Sequence, residues 1–134
     1  MHNNLEARST GFERIDLDGM TALGRYKFLT ATVVPRPIAL VSTLNLDGSV
    51  NVAPFSQFVI LSASPPMLGI VSGRHPDGMK DTHVNILRTR EFVINLVSEE
   101  LAVPTQQSAF PFRADISEAD MLMLETRPAS TVRG

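Results

Sequence analysis

Residues 37–61, PIALVSTLNLDGSVNVAPFSQFVIL, decide the fold, because two strand-like runs with a period of two stand on either side of Asp47-Gly48. An Asp-Gly pair between such runs predicts a β-hairpin closed by a two-residue type I′ turn. Pro54 interrupts the second run and cannot donate to a ladder, so we expect an edge strand or a bulge at residues 53–56.

The remaining periodic segments are short. They predict strands at 67–73 and 91–98, helices at 19–31 and 81–90, and a helical turn at 117–121. A further helix is expected to begin at Ser98 and to be bent or ended early by Pro104. Strands that follow a hairpin, with few and short helices, favour an antiparallel sheet or barrel over a doubly wound sheet. We expect a mainly β fold with short helices, in which an N-terminal arm (1–18) precedes one domain (19–134).

Composition limits the classes of function. The chain has 134 residues, 43% of them hydrophobic, a formal net charge of −2 and no cysteine. This balance gives no reason to expect nucleic acid or a membrane as partner. The absence of cysteine excludes disulfides and thiol nucleophiles, and it is compatible with the cytoplasm, where we expect the protein.

The segment GRHPDGMKDTHVNIL, residues 73–87, is the first candidate for a binding site. Arg74 and Lys80 flank a turn, and Asp81-Thr82 open the helix predicted at 81–90. A helix start offers free N–H groups and a partial positive charge, which suit a phosphate. The alternative is a solvated loop in which Asp81 or Thr82 merely caps the helix.

Two further stretches have polar or small side chains in suggestive positions. Ser42-Thr43 ends the first strand, and Ala53-Pro54-Phe55-Ser56 lies across the hairpin from it, where a flat ring could approach the backbone. Ordinary strand residues on a half-solvated face are the alternative. Arg36, between two prolines, is held on a stiff segment, but it could equally pair with a surface carboxylate.

No catalytic or metal-binding constellation is evident. His75 and His83 lack partners at ligand spacing, and no serine stands in a nucleophile elbow. The acidic side chains of Asp115, Glu118 and Asp120 are expected to be solvated. An enzyme with this sequence would depend on a cofactor for its chemistry.

Three motifs together resemble one family. P-R-P-I-A-L-V-S-T at 35–43, N-x-A-P-F-S at 51–56 and R-x-P-D-G-x-K-D-T-x-x-N-I at 74–86 occur in the order and spacing of the flavin reductase-like, FMN-binding split-barrel proteins, the flavoredoxin and ferric or flavin reductase group. The resemblance runs from Tyr26 to Ala102 and continues loosely to Ser130. It implies an FMN-binding split barrel, a homodimer with FMN at its interface, and NAD(P)H as the source of hydride.

The resemblance also assigns residues. It implies phosphate contacts from Arg74, Lys80, Asp81 and Thr82, ring and ribityl contacts from Ser42 and Thr43, a backbone edge facing the ring at Ala53, Pro54, Phe55 and Ser56, and supporting roles for Asn51 and Arg36. No catalytic side chain and no metal ligand is assigned. The expected function is that of an FMN-dependent oxidoreductase, which passes electrons to free flavin, a ferric complex or a partner oxygenase.

Two departures from the family pattern bear on function. Members of the family usually continue well beyond this point, so the chain is expected to lack the C-terminal part of the barrel. Gln57 and Val59 stand where aromatic or asparagine character is usual. Two alternatives therefore remain: a non-catalytic FMN-binding electron carrier, and an inactive truncated fragment.

Overall fold

The computed structural model describes residues 11–73, 78–113 and 116–132. The chain divides into two compact units, Met1–Pro35 and Arg36–Gly134. In the first, helix α1 spans Ala22–Thr32 and so begins three residues later than the predicted start at residue 19. The Thr21 hydroxyl caps it by accepting a hydrogen bond from the Gly24 N–H at 3.1 Å. The Arg25 guanidinium donates to the carbonyls of Leu17 and Met20, which holds the segment preceding α1 against that helix.

The second unit is mainly β, as predicted. Its elements are, in chain order, β1 (Ala39–Leu44), β2 (Val50–Phe55), β3 (Phe58–Ala63), β4 (Pro66–Ile70), α2 (Asp81–Thr89), β5 (Val93–Leu96), α3 (Ala102–Gln107) and α4 (Glu118–Met121). All strand pairs are antiparallel, and they form a three-stranded sheet in the order β2-β1-β5 and a two-stranded sheet of β3 and β4.

The β1–β2 hairpin has the predicted strands but a different turn. A two-residue type I′ turn needs positive φ at both central positions, whereas here Gly48 has φ +86° and Asp47 does not lie in that region. Instead, the Gly48 N–H donates to the Asn45 carbonyl, and the Asn45 N–H donates to the Ser49 carbonyl. The last bonded pair of the hairpin is therefore Asn45 and Ser49, and the loop between them has three residues, 46–48. The Asp47 carboxylate accepts from the Ser49 hydroxyl and N–H, and these bonds lower the pKa of Asp47.

The register of the three-stranded sheet defines two faces. Ala39, Val41 and Thr43 of β1 point to one, which we call the α2 face, and Leu40, Ser42 and Leu44 point to the other, the α4 face. Each face has its own apolar cluster: Ala39, Val41 and Phe55 on the α2 face, and Leu40, Val52 and Ala119 on the α4 face. β2 is an edge strand, so the prediction from Pro54 is confirmed.

A buried polar network attaches α2 to the sheet. The Asn51 amide donates to the hydroxyls of Thr43 and Thr82, at 3.1 and 3.0 Å. Asn85, one turn further along α2, donates to the same Thr43 hydroxyl and to the Asn45 side chain. Since all these donors find acceptors, the network fixes α2 over β1 and β2 without a buried charge.

The helix predicted at Ser98 begins later than expected. Residues 98–101 form turns, and α3 starts at Ala102 with Pro104 as its third residue. Of the two expectations for Pro104, the one that it would end the helix is wrong, because α3 continues to Gln107. A proline is tolerated in a first turn, because its missing N–H would have had no partner within the helix.

The short helix α4 begins at the predicted place, but one of its acidic residues is not solvated. Ser117 caps the helix and also donates its hydroxyl to the Val50 carbonyl at 2.8 Å. The Glu118 carboxylate accepts from the Val52 N–H at 3.3 Å, and the residue is only 8% exposed. These two side chains occupy the outer edge of β2, which corrects the expectation for Glu118; Asp120 is exposed, and Asp115 lies outside the described residues.

The β3–β4 hairpin is apolar on both of its sides. Phe58 and Ile70 at its base pack against the cluster on the α2 face. Towards its tip, Ile60 is 74% and Leu61 63% exposed, and Leu61 lies across Gly69, where an added Cβ would come within 3.1 Å of it. No charged residue occurs between Gln57 and Gly73.

The Asn51 network generates a test of stability. We expect Asn51→Ala to lower the free energy of unfolding by about 2 kcal/mol, because the hydroxyls of Thr43 and Thr82 lose a donor that water cannot replace. Urea unfolding followed by circular dichroism measures the change. Gln107→Ala on the exposed side of α3 is the control and should be near neutral; an equally small effect at Asn51 would contradict the structural role of the network.

Candidate functional site

The start of α2 has no side-chain cap. Lys80 occupies the N-cap position in an extended conformation, and its side chain makes no capping bond. Its carbonyl accepts from the N–H groups of His83 and Val84. Within the described residues, no side chain caps the N–H groups of Asp81 and Thr82, which lie at the positive end of the helix dipole. In the described part of the chain, the alternative in which Asp81 or Thr82 caps the helix is therefore wrong.

The side chain of Lys80 lies beside this helix start. Its ammonium nitrogen is 5.4 Å from the centroid of the Phe55 ring, within the range of a cation–π contact. Phe55 is buried in the cluster on the α2 face, so the ring is a fixed support, whereas Lys80 is exposed. An exposed, positively charged residue therefore occupies the N-cap of the helix, and its ammonium group lies over the Phe55 ring.

Most of the residues assigned by the resemblance lie on the α2 face or beside it. These are Thr43, Asn51, Ala53 and Phe55 of the sheet together with Lys80, Asp81 and Thr82 at the start of α2. The side chains of Thr43, Asn51 and Thr82 are buried and bonded to one another. They position the helix start, and any contact they make with a ligand remains a prediction.

Other assigned residues are placed elsewhere. Ser42 and Pro54 point to the α4 face, where the Asn95 amide donates to the Ser42 hydroxyl at 3.3 Å. Ser56 follows β2 and Arg36 precedes β1, both partly buried. Arg74 lies outside the described residues.

A cavity of about 590 Å³ lies over the α4 face, on the other side of the sheet from α2. Ser42 and Asn95 are among its polar lining, and residues 124–129 close one side. It is therefore separate from the uncapped helix start, although Ser42 was assigned to the same site.

The burial of Glu118 against β2 was not predicted from the sequence, which suggested a solvated side chain. Burial raises the pKa of its carboxyl most, hydrogen bonds from its own N–H and from Val52 oppose that effect, and the charge of Asp81 raises the pKa further. Asp81 precedes Thr82, whose hydroxyl accepts from Asn51, and Glu118 accepts from the next residue of β2, Val52, so both acidic residues adjoin the same short stretch of that strand. The cap at Ser117 was readable in the sequence, but the docking of Glu118 on β2 depends on contacts between distant segments.

Comparisons with known proteins identify the family of this chain. The family model described as the flavin reductase like domain matches residues 31–133. Curated relatives in Halalkalibacterium halodurans, Aquifex aeolicus and Bacillus subtilis are 38%, 40% and 41% identical and cover 89%, 81% and 75% of this chain. The chain spans 57%, 56% and 49% of their lengths, about half.

Solved structures give the same result. The 2-nitrobenzoate 2-nitroreductase of Pseudomonas fluorescens is 36% identical with a TM-score of 0.81, over 90% of this chain and 57% of that one. Nitrilotriacetate monooxygenase component B of Bacillus cereus is 28% identical with a TM-score of 0.86, over 91% and 60%.

A third solved structure, 23% identical, bears on the fold alone. It is a putative flavin reductase with a split barrel domain from Shewanella frigidimarina, with a TM-score of 0.72 over 86% of this chain and 56% of that one. Within the described residues, no helix has the length and apolar character needed to cross a bilayer. The antiparallel strands, the short helices and the matched family model lead to one conclusion: this chain belongs to the flavin reductase like family and has a split-barrel fold.

Proposed function

We propose that the protein is an FMN-dependent oxidoreductase of the NAD(P)H:flavin reductase type. Membership of the family supports a flavin-dependent reductase function. The nitroreductase and the monooxygenase component among the similar structures are named for oxidoreductase systems, which supports the same class of reaction. The choice of FMN, the nicotinamide donor and the electron acceptor are parts of this proposal.

The observation that carries the proposal is the uncapped start of α2 with Lys80 beside it. A helix normally satisfies its first N–H groups with serine, threonine, aspartate or asparagine at the N-cap, and a lysine there leaves them available. N–H groups at a helix start together with an adjacent ammonium bind a phosphate, and FMN has one where riboflavin does not. The residues present thus fit the phosphate end of FMN.

The neighbouring part of β2 suits the flat ring. Ala53 has a small, half-buried side chain on the α2 face, and Ser56 is partly exposed just after the strand. A small side chain leaves the backbone accessible to an aromatic ring, and Phe55 keeps that segment of strand in the core. Bound FMN would supply the redox chemistry, accepting hydride from a nicotinamide and passing electrons on. The protein would contribute binding and orientation.

We also propose that the protein acts as a homodimer, with the β3–β4 hairpin at the interface. Exposed apolar residues on both sides of this hairpin form a surface of the kind that marks association sites. The uncharged segment from Gln57 to Gly73 presents no like charges that would repel a second copy. A partner oxygenase and a cytoplasmic location, both expected from the sequence, remain predictions.

The reductase reaction is tested directly. The protein reconstituted with FMN should oxidise NADH or NADPH in the presence of free flavin or a ferric complex, followed by the loss of nicotinamide absorbance. Retention of FMN with no oxidation of either nicotinamide, but with photoreduction of the flavin, would favour the electron carrier instead. A chain that does not retain FMN at micromolar concentration would contradict both functions.

The phosphate site is tested with a substitution and two ligands. We expect Lys80→Ala to weaken FMN binding about tenfold and riboflavin binding little, because the ammonium acts on the phosphate. Flavin fluorescence titration measures both affinities. Lys27→Ala, an exposed lysine of α1, is the matched control. Equal weakening of the two ligands by Lys80→Ala would mean that the segment does not hold phosphate.

The proposed dimer interface is tested by introducing a charged residue on the β3–β4 hairpin. We expect Ile60→Glu to shift the protein from dimer to monomer in sedimentation velocity, because a carboxylate buried between two apolar surfaces lacks a partner. Leu46→Glu, at the exposed loop of the β1–β2 hairpin, should leave the dimer intact. A monomeric wild-type protein at micromolar concentration would contradict the proposal.

A further inference from the structure

The first turns of α2 and α4 are hydrogen-bonded to two consecutive residues of β2, Asn51 and Val52. The Asn51 side chain bonds Thr82 in the first turn of α2, and the next residue, Val52, donates its N–H to the Glu118 carboxylate at the start of α4. This stretch of β2 therefore contacts both the buried Glu118 carboxyl and the start of α2. Glu118 has no part in the function proposed above.

The charged groups around Glu118 are few in the described part of the chain. β1, β2 and α3 contain no titratable side chain. α4 itself adds the exposed Asp120, and α2 contributes Asp81, His83 and Arg88, with Lys80 at its N-cap. Of these, Asp81 is the group whose charge raises the pKa of Glu118. Asp81 is also the first residue of the helix whose start would hold the phosphate.

We propose that binding of a phosphate dianion at the start of α2 is coupled to partial uptake of a proton from solvent by the Glu118 carboxyl. This inference rests on the function proposed above, whose phosphate site lies at Asp81. A dianion there adds negative charge to the surroundings of two carboxyls, one of them buried where water screens little. Neutralising Glu118 removes part of that repulsion, and the protonated carboxyl can still accept from the Val52 N–H.

The direction of the pH dependence follows from the sign of these effects. The pKa of Glu118 in the free protein already lies above 4.5, and a nearby dianion raises it further. At pH values between the pKa of Glu118 in the free protein and its pKa in the FMN complex, the complex binds more protons than the free protein does. The affinity for FMN therefore falls as pH rises through that window, which lies above pH 4.5.

The coupling is measured by calorimetry. FMN binding is titrated in two buffers of different ionisation enthalpy, at several pH values between about 5 and 7.5, and the difference in heat gives the protons taken up. The phosphate of FMN itself titrates with a pKa of about 6. Because that contribution is common to all variants, the comparison of wild type with Glu118→Gln isolates Glu118. Asp120→Asn, on the same helix and exposed, is the matched control.

We expect wild type and Asp120→Asn to take up more protons with FMN than Glu118→Gln does, and no such difference with riboflavin. The dissociation constant for FMN should rise about threefold to tenfold more in wild type than in Glu118→Gln across this range, which corresponds to a shift of about half a unit to one unit in the pKa of Glu118. Equal uptake in wild type and Glu118→Gln would overturn the coupling while leaving FMN binding intact. Absence of FMN binding by wild type would overturn the proposed function as well.

A second measurement does not depend on a variant that folds. The side-chain carboxyl carbon of Glu118 can be followed by NMR as a function of pH, with and without FMN. We expect its titration midpoint to move to higher pH with FMN and to stay in place with riboflavin. An unchanged midpoint in the presence of bound FMN would overturn the proposal.

Discussion

The Asn51 amide, shared between Thr43 of β1 and Thr82 of α2, is the contact on which the rest of the site depends. It crosses from an edge strand to the first turn of a helix and therefore fixes where that helix begins. A displacement of α2 would move Lys80 from Phe55 and the free N–H groups from the α2 face. Asparagine suits this position because its amide donates twice and introduces no charge into the core.

The three-stranded sheet separates two different environments. On the α2 face, an apolar cluster gives way to the polar network and the uncapped helix start. On the α4 face, a second cluster lies beneath α4 and the cavity. The edge of β2 connects the two, because Val50 and Val52 bond Ser117 and Glu118 while Asn51 bonds α2.

The fold was predictable from sequence where the signals are local. The period of two in β1 and β2, the cap at Thr21 and the periodicity of α2 depend on neighbouring residues, and those elements are present. The predicted two-residue turn was wrong: the loop has three residues, 46–48, and bonds from the Ser49 N–H and hydroxyl to the Asp47 carboxylate stabilise it. The helix start at α2 was predictable as a candidate site. The resemblance grouped residues of the α2 face, but also Ser42 and Pro54, which the register places on the other face. The burial of Glu118 was not predictable, because its partner Val52 is 66 residues away in the chain.

The lysine at the N-cap of α2 has opposite consequences for the stability of the helix and for the proposed binding of a phosphate. A serine or aspartate in its place would satisfy the free N–H groups and stabilise the helix by about 1 kcal/mol. Under the proposed function, the same replacement would fill the position of the FMN phosphate and remove its counter-charge. Selection for heat resistance alone would therefore favour loss of Lys80, and retention of this residue would indicate that ligand affinity is under selection.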